Sequence, residues 1–361
     1  MNKAKFDAEI ERHLDNVRAL RVESGLFRAS AQEVPTGYDK AWLRDNFYTS
    51  LGFEHVGDWN TVYWLWKAIL GIFVKHHDKI EWAAQNKPYE TWQYIHARYN
   101  PDTFDEFWEE WGNKQNDAVG AILFKVADLE SRGIVVVQSD EERRMLQMLV
   151  NYLATIEYWH DPDNGVWEEN EEVHASSIAP TVAALRKIDA LPFIEVPEGM
   201  LPHGEQALKQ LLPRESVTKF TDLALLSLIW PYQVVDDDIA AQILRNVEYH
   251  LERRRGVLRY KNDRYYNANE DGYSEEAEWT MGFPWLAVIY ARRGNTGKAM
   301  YYLSKARSVS VEEQKLPELY FSNTDRPNEN VPLGWAESLL IVAMKELEHV
   351  LVDETSSVVA A

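Results

Sequence analysis

Between Asp236 and Leu251 the chain reads DDDIAAQILRNVEYHL, with apolar residues at Ile239, Ile243, Val247 and Leu251. Spacings of four put these residues on one face of a helix, whereas a half-buried strand would need strict alternation. The same period recurs at Ile10, His13, Leu14, Val17 and Leu20 and through most of the chain, and strand-like alternation is nearly absent. Helices are predicted over 4–21, 42–56, 59–84, 116–131, 140–159, 175–190, 204–212, 220–231, 236–254, 276–293, 296–307 and 332–351. Ser139 followed by Glu142 is a capping-box pattern, Gly133 closes the stretch before it, and Thr296 opens another after Gly294. The class is therefore all-α. Twelve stretches without a repeat of roughly 30–50 residues argue for helix pairs around a central axis and against an open solenoid.

The length of 361 residues exceeds the usual single-domain size, yet no linker or break in composition divides the chain. One domain over 1–361 is expected, with roughly the last eight residues forming a flexible tail. Cysteine is absent, which removes disulfides and thiolate chemistry. The first residues carry charges throughout, and no apolar run reaches the roughly 20 residues of a membrane span. A cytoplasmic protein is expected. A net charge of −20 repels nucleic acid and anionic lipid and favours a neutral ligand. Fourteen Trp and 18 Tyr supply flat faces suited to sugar rings, although an aromatic-rich core would use the same residues. No His or Cys cluster has metal-ligand spacing, and no Gly-rich phosphate loop is present, so neither metal nor cofactor is expected.

The connections carry the chemistry. Segments 30–42, 105–117, 160–175, 256–278 and 312–335 are long and rich in Trp, Tyr, Asp, Glu and Asn, as loops that build a site would be. Glycosidic hydrolysis needs an acid for the leaving oxygen and a second carboxylate that activates water or attacks the sugar. Glu168 and Glu169 follow Trp167 in one such loop, where adjacent carboxylates favour a retained proton; a solvated acidic loop before a helix would read the same way. Glu318 follows Pro317 in another, though a Glu beside Pro is common on any surface. Arg44 and Asp45 stand beside Trp42, where fork and carboxylate could hold several hydroxyls or form a structural ion pair.

Together these segments resemble, in order and over nearly the whole chain, the glucoamylase-type glycoside hydrolases of family 15 and the related amino-terminal domain of phosphorylase kinase α subunits. The run Tyr38-Asp-Lys-Ala-Trp42-Leu-Arg44-Asp45 is similar to the first substrate-binding segment, and Trp111-Gly-Asn-Lys-Gln115 to the next. Asp163-Asn-Gly-Val-Trp167-Glu168-Glu169 resembles the general-acid segment, Arg259-Tyr260 with Tyr265-Tyr266 a segment that reaches the second sugar, and Pro317-Glu318 with Trp335 the general-base loop. Leu319 stands where the family commonly has Gln.

The resemblance implies an (α/α)6 barrel. It also implies inverting, exo-acting release of β-glucose from the non-reducing ends of short isomaltose- or maltose-type oligosaccharides. Glu168 would be the acid, Glu318 the base, and Tyr38 would position water. Trp42, Arg44, Asp45, Trp111, Gln115, Trp167, Glu169, Arg259 and Trp335 would bind substrate. The alternatives are a glycan-sensing regulatory domain that keeps the pocket without turnover, and a trehalase-type α-glycosidase on the same scaffold.

Overall fold

A computed structural model describes residues 2–31, 36–109, 111–269 and 271–352. Its helices are α1 (Lys3–Arg18), α2 (Leu43–Val56), α3 (Trp59–Lys75), α4 (His77–Gln85), α5 (Asn116–Ser131), α6 (Asp140–Thr155) and α7 (Ala175–Arg186). They continue as α8 (Met200–Leu211), α9 (Leu226–Ile229), α10 (Asp237–His250), α11 (Gly282–Arg292), α12 (Thr296–Ser308), α13 (Gly334–Glu346) and α14 (Glu348–Leu351). The expected tail falls almost wholly in 353–361, outside the described residues.

Two kinds of helix follow from where the apolar residues sit. In α10 only Ala240, Ile243, Leu244 and Val247 are buried, the one-sided pattern of a helix with a wet face. In α7 every residue from Ala175 to Leu185 is buried, so that helix has protein on all sides. Helices α2, α5, α11 and α13 are of the second kind. They close a ring: α2 packs on α5, α5 on α7, α7 on α9, α9 on α11, α11 on α13, and α13 returns to α2. Outside it α1 covers α13, α8 covers α7, α10 covers α9, α12 covers α11, and α6 lies against α3, α4 and α5. This is an (α/α)6 barrel.

Several expected helices differ from those observed, among them 332–351, which divides at Leu347 into α13 and α14, and 204–212, which begins at Met200. The stretch 59–84 breaks at His76, whose Nε2 lies 2.7 Å from the carbonyl of Phe104, fastening the end of α3 to a distant loop. The stretch 220–231 is one α-turn, α9, preceded by a 3-10 turn over Leu223–Leu225 that Asp222 caps. The stretch 276–293 begins its helix only at Gly282, because residues 278 and 279 are committed to a strand pair. That pair joins β3 (Glu278–Trp279) to β4 (Leu319–Tyr320); an equivalent pair joins β1 (Ala41–Trp42) to β2 (Arg98–Tyr99). Each ties two long connections together over the same end of the ring. Among the described residues no helix is long and apolar enough to cross a membrane.

Candidate active site

The N-termini of α2, α11 and α13 meet at one end of the ring, where the long connections enclose a cavity of about 260 Å³. Trp42 caps α2 and Arg44 and Asp45 occupy its first turn; Met281 precedes α11; Leu333 caps α13 and Trp335 is its second residue. Residues 166–169 come from the connection before α7, and Glu318 from the one before α13. Converging helix N-termini give this end a positive potential that favours carboxylates.

Glu318 is 1% exposed and its lone pairs are met by donors alone. The Tyr38 hydroxyl donates to Oε1 at 2.6 Å, and the Asn328 and Asn330 amides donate to Oε2 at 2.6 and 2.7 Å. Burial pushes its pKa above the usual carboxylate range, and the three donors hold the shift back. The neighbouring Leu319 is fully buried in β4, and the amide donors to Glu318 come from the two asparagines returning along the loop. Tyr38 in turn lies 3.3 Å from the hydroxyl of Tyr265.

Glu168 is held otherwise. Its Oε2 accepts from the Trp111 indole at 3.0 Å and its Oε1 from Arg44 Nη2 at 3.3 Å. Burial raises its pKa, and Arg44 and Arg98 oppose the rise. The backbone at Glu168 is left-handed, with φ 63°, a conformation costly for a residue with a side chain and common where a functional group must be aimed. Two glycines make the turn possible. Gly165 has φ 64°, and a Cβ there would sit 2.8 Å from the His174 ring; a Cβ on Gly112 would meet the Glu168 carbonyl at 2.8 Å. Asp163 braces the turn from within, accepting from the backbone of Asn116 at 2.9 Å and from Ser177 at 3.0 Å.

Around the two carboxylates the cavity presents polar groups and indole faces. Arg44 spends Nη1 on Asp117 at 2.8 Å and Gln115 at 3.0 Å. Gln115 therefore stands behind Arg44 and is not part of the cavity wall, unlike the other expected site residues. Asp45 lines the cavity and makes no hydrogen bond to another side chain among the described residues; burial, with Glu168 and Glu318 adding to it, raises its pKa to about 7 against the pull of Arg44. Glu169 accepts from Arg259 at 2.9 Å, from Lys219 at 3.3 Å and from the Tyr260 hydroxyl. Arg259 is clamped by Asp263 through two bonds of 2.7 Å and faces Trp279, Tyr265 and Trp167. Trp167 is fixed by its indole donating to Asp222 at 2.7 Å, and Trp335 by stacking on Tyr48 at 4.3 Å.

Sequence reading did not single out Trp279, Met281, Leu333, Asn328 or Asn330. None of these had a local signal: Trp279 is placed by pairing with Leu319, and the asparagines by a target that lies across the loop. The indole N–H groups of Trp279 and Trp335 are buried at the cavity with no partner among the described residues, which leaves them free to donate to hydroxyls. Among the described residues no group of side chains could hold a metal ion.

The model of the glycosyl hydrolases family 15 matches residues 14–196, half of the chain. The chain belongs to glycosyl hydrolase family 15. Among curated proteins it is similar to the phosphorylase b kinase regulatory subunit alpha of rabbit skeletal muscle (Oryctolagus cuniculus), 26% identical over 86% of this chain. A probable phosphorylase b kinase regulatory subunit alpha of Drosophila melanogaster is 27% identical over 88%. The chain spans only 30% of the length of each of these subunits. In fold it matches a glycosidase solved in complex with glucose, with TM-score 0.79 at 19% identity over 98% of this chain and 100% of that one. A bacterial glucoamylase complexed with acarbose gives 0.72 at 14% over 95% and 56%, and the glucoamylase of Saccharomycopsis fibuligera 0.68 at 16% over 96% and 95%.

Proposed function

We propose that this family 15 chain is an inverting, exo-acting α-glucoside hydrolase that releases β-glucose from the non-reducing ends of short isomaltose- or maltose-type oligosaccharides. The observation that carries this reading is the meeting of two carboxylates, Glu168 and Glu318, from different connections on one cavity. Glu318 is fully buried among three uncharged donors, and Glu168 is half-buried between the Trp111 indole and Arg44; burial raises the pKa of both, so each can hold a proton or give it up near neutrality.

In the proposed reaction Glu168 gives its proton to the glycosidic oxygen as the bond from that oxygen to C1 breaks. A water held by Tyr38 attacks C1 from the other face and passes a proton to Glu318. Room for that water calls for carboxyl groups roughly 6.5–9.5 Å apart. Asp45 and Arg44 would take hydroxyls of the terminal glucose, with Trp42, Trp111, Trp167 and Trp335 shaping the walls, and Arg259 and Glu169 would reach the next sugar. Gln115 would act through Arg44. A cavity of about 260 Å³ suits the end of a chain better than its middle.

A second reading draws on the relatives named as regulatory subunits: the pocket would bind a glycan and report it without turnover. Proton NMR of the protein with isomaltose, maltose and trehalose in separate tubes decides between them. Early β-glucose from isomaltose or maltose supports the hydrolase, early release from trehalose alone a trehalase-type enzyme. Saturable binding with no release favours the regulatory domain.

A further inference from the structure

Trp111 joins Glu168 to a cation behind the cavity wall. Its indole donates to Glu168 at 3.0 Å, and the guanidinium of Arg98 lies 4.1 Å from the centre of its ring. Arg98 comes from β2, where it stands opposite Trp42 in the strand pair. Trp42 at 5.2 Å and Phe107 at 5.3 Å close its other sides, and only 7% of Arg98 is exposed. It does not line the cavity itself.

A buried cation is ordinarily discharged by its partner, and here the discharge is incomplete. Arg98 Nη2 donates to Glu109, whose side chain is 53% exposed, while Nε is buried with no partner among the described residues. Water damps the field of the exposed carboxylate and leaves that of the buried guanidinium nearly intact on its inner side. Asp39, the other carboxylate that reaches Arg98 from outside the cavity, has a side chain 44% exposed and is damped in the same way. His96 also packs on Trp111 and adds no charge. It accepts the Arg98 backbone N–H at 3.1 Å, and burial with Lys79 and Arg98 lowers its pKa to about 3. Lys79 is itself closed by Glu106 through two bonds of 2.8 Å.

The groups facing Glu168 are Arg44 and Asp45 from the first turn of α2, Tyr38 from the connection before β1, Glu318 from the connection before α13, and Arg98. Asp45 and Glu318 favour its proton, as neighbouring carboxylates do. Arg44 divides itself among Asp117, Gln115 and Glu168. Of the two cations, Arg98 alone has no second buried carboxylate to serve.

We infer that Arg98 is a positioning residue for Glu168, a buried cation whose charge reaches that carboxylate across the Trp111 indole on which it lies. A cation over an indole face draws electron density from the ring and strengthens the N–H as a donor, so field and hydrogen bond both favour the ionised carboxylate. Arg98 thereby eases the proton off a carboxyl that burial alone would hold too tightly. The role rests on the hydrolase reading for its purpose, and its test reads Glu168 apart from turnover.

The reporter is the Trp111 indole N–H resonance in protein carrying isotope-labelled tryptophan, identified by its loss in Trp111→Phe and followed against pH. The part of its titration that vanishes in Glu168→Gln gives the Glu168 midpoint. Arg98→Met should raise that midpoint by at least about half a pH unit, and Arg98→Lys, which keeps the charge, should hold it within about two tenths. Glu109→Gln alters only an exposed partner, unmasks Arg98 and should lower the midpoint, so the test stands even where Arg98→Met does not fold. A midpoint unmoved in Arg98→Met, one that Arg98→Lys raises as far, or one that Glu109→Gln raises overturns the inference. With isomaltose or maltose the alkaline limb of kcat/KM, where the acid loses its proton, should follow the same shifts. A midpoint that moves in a chain that cleaves neither sugar keeps the role of Arg98 and removes the hydrolase reading. Cleavage with a midpoint that Arg98→Met leaves in place does the reverse.

Discussion

Two aspartates at opposite ends of the inner helices meet opposite fates. Asp45, in the first turn of α2, faces the cavity that holds Glu168 and Glu318, and burial with two carboxylate neighbours raises its pKa to about 7. Asp128, near the end of α5, is also partly buried, yet Lys125 and Lys187 outweigh that burial and lower its pKa to about 2. Around Asp128 the charges are matched: Glu54 takes Lys125 at 3.1 Å and Arg132 at 2.8 Å, and Lys187 reaches Asp128 at 2.8 Å. At the cavity the three carboxylates Asp45, Glu168 and Glu318 share Arg44, whose Nη1 is already taken by Asp117 and Gln115. One end of the ring uses buried charge to hold helices together, and the other holds charge in reserve for a ligand.

The largest expected effect tests the reserved end. Glu168→Gln should lower kcat by at least about a hundredfold while leaving the thermal midpoint in place, because a general acid contributes about 10²–10⁴-fold. Near-normal turnover in steady-state assays would reject the assignment. At the matched end, Glu54→Ala leaves Lys125 and Arg132 leaning on Asp128 alone and should cost about 3–5 kcal/mol in urea unfolding. A loss under about 1 kcal/mol would mean the far end is not held by charge.

The smallest effect concerns pH. The folded state holds the Asp45 proton more tightly than the unfolded chain does, so this stabilisation is complete below about pH 4 and lost as pH rises through about 7. For Asp128 the sign reverses, with stabilisation present above about pH 4 and lost as pH falls through about 2. Asp45→Asn should flatten the stability curve on its neutral side and Asp128→Asn on its acid side, as followed by thermal midpoints from pH 2 to 8. Both variants flattening the same limb would erase the contrast.

What could be read in advance follows from what is local. Helical periodicity depends on neighbours three and four residues apart, so α10 and α1 are visible in the chain itself. The break at His76 is not, because its partner is Phe104, and β3 is not, because Trp279 is committed by pairing with Leu319. At the site, motifs locate the carboxylates because Trp167-Glu168-Glu169 and Pro317-Glu318 are contiguous. Asn328 and Asn330 escape notice because a loop that folds back carries no spacing rule. Gln115 shows the limit of a motif: it belongs to the right segment, yet its side chain serves Arg44.

The closure of the ring by α13 also sets an order of events. Gly334 N–H bonds to the Ala29 carbonyl at 2.9 Å, and the Ser30 hydroxyl to that of Pro332 at 2.9 Å, joining parts of the chain some three hundred residues apart. Contacts of such sequence separation form late, because a long loop must close before they reward it. During synthesis α2 emerges with its Arg44 and Asp45 and waits for nearly the whole remaining chain before its last neighbour arrives. The same late segment carries Glu318 and Trp335. The protein acquires its proposed base at the moment its barrel shuts, so a chain caught half-made holds the Glu168 loop without the carboxylate that would face it.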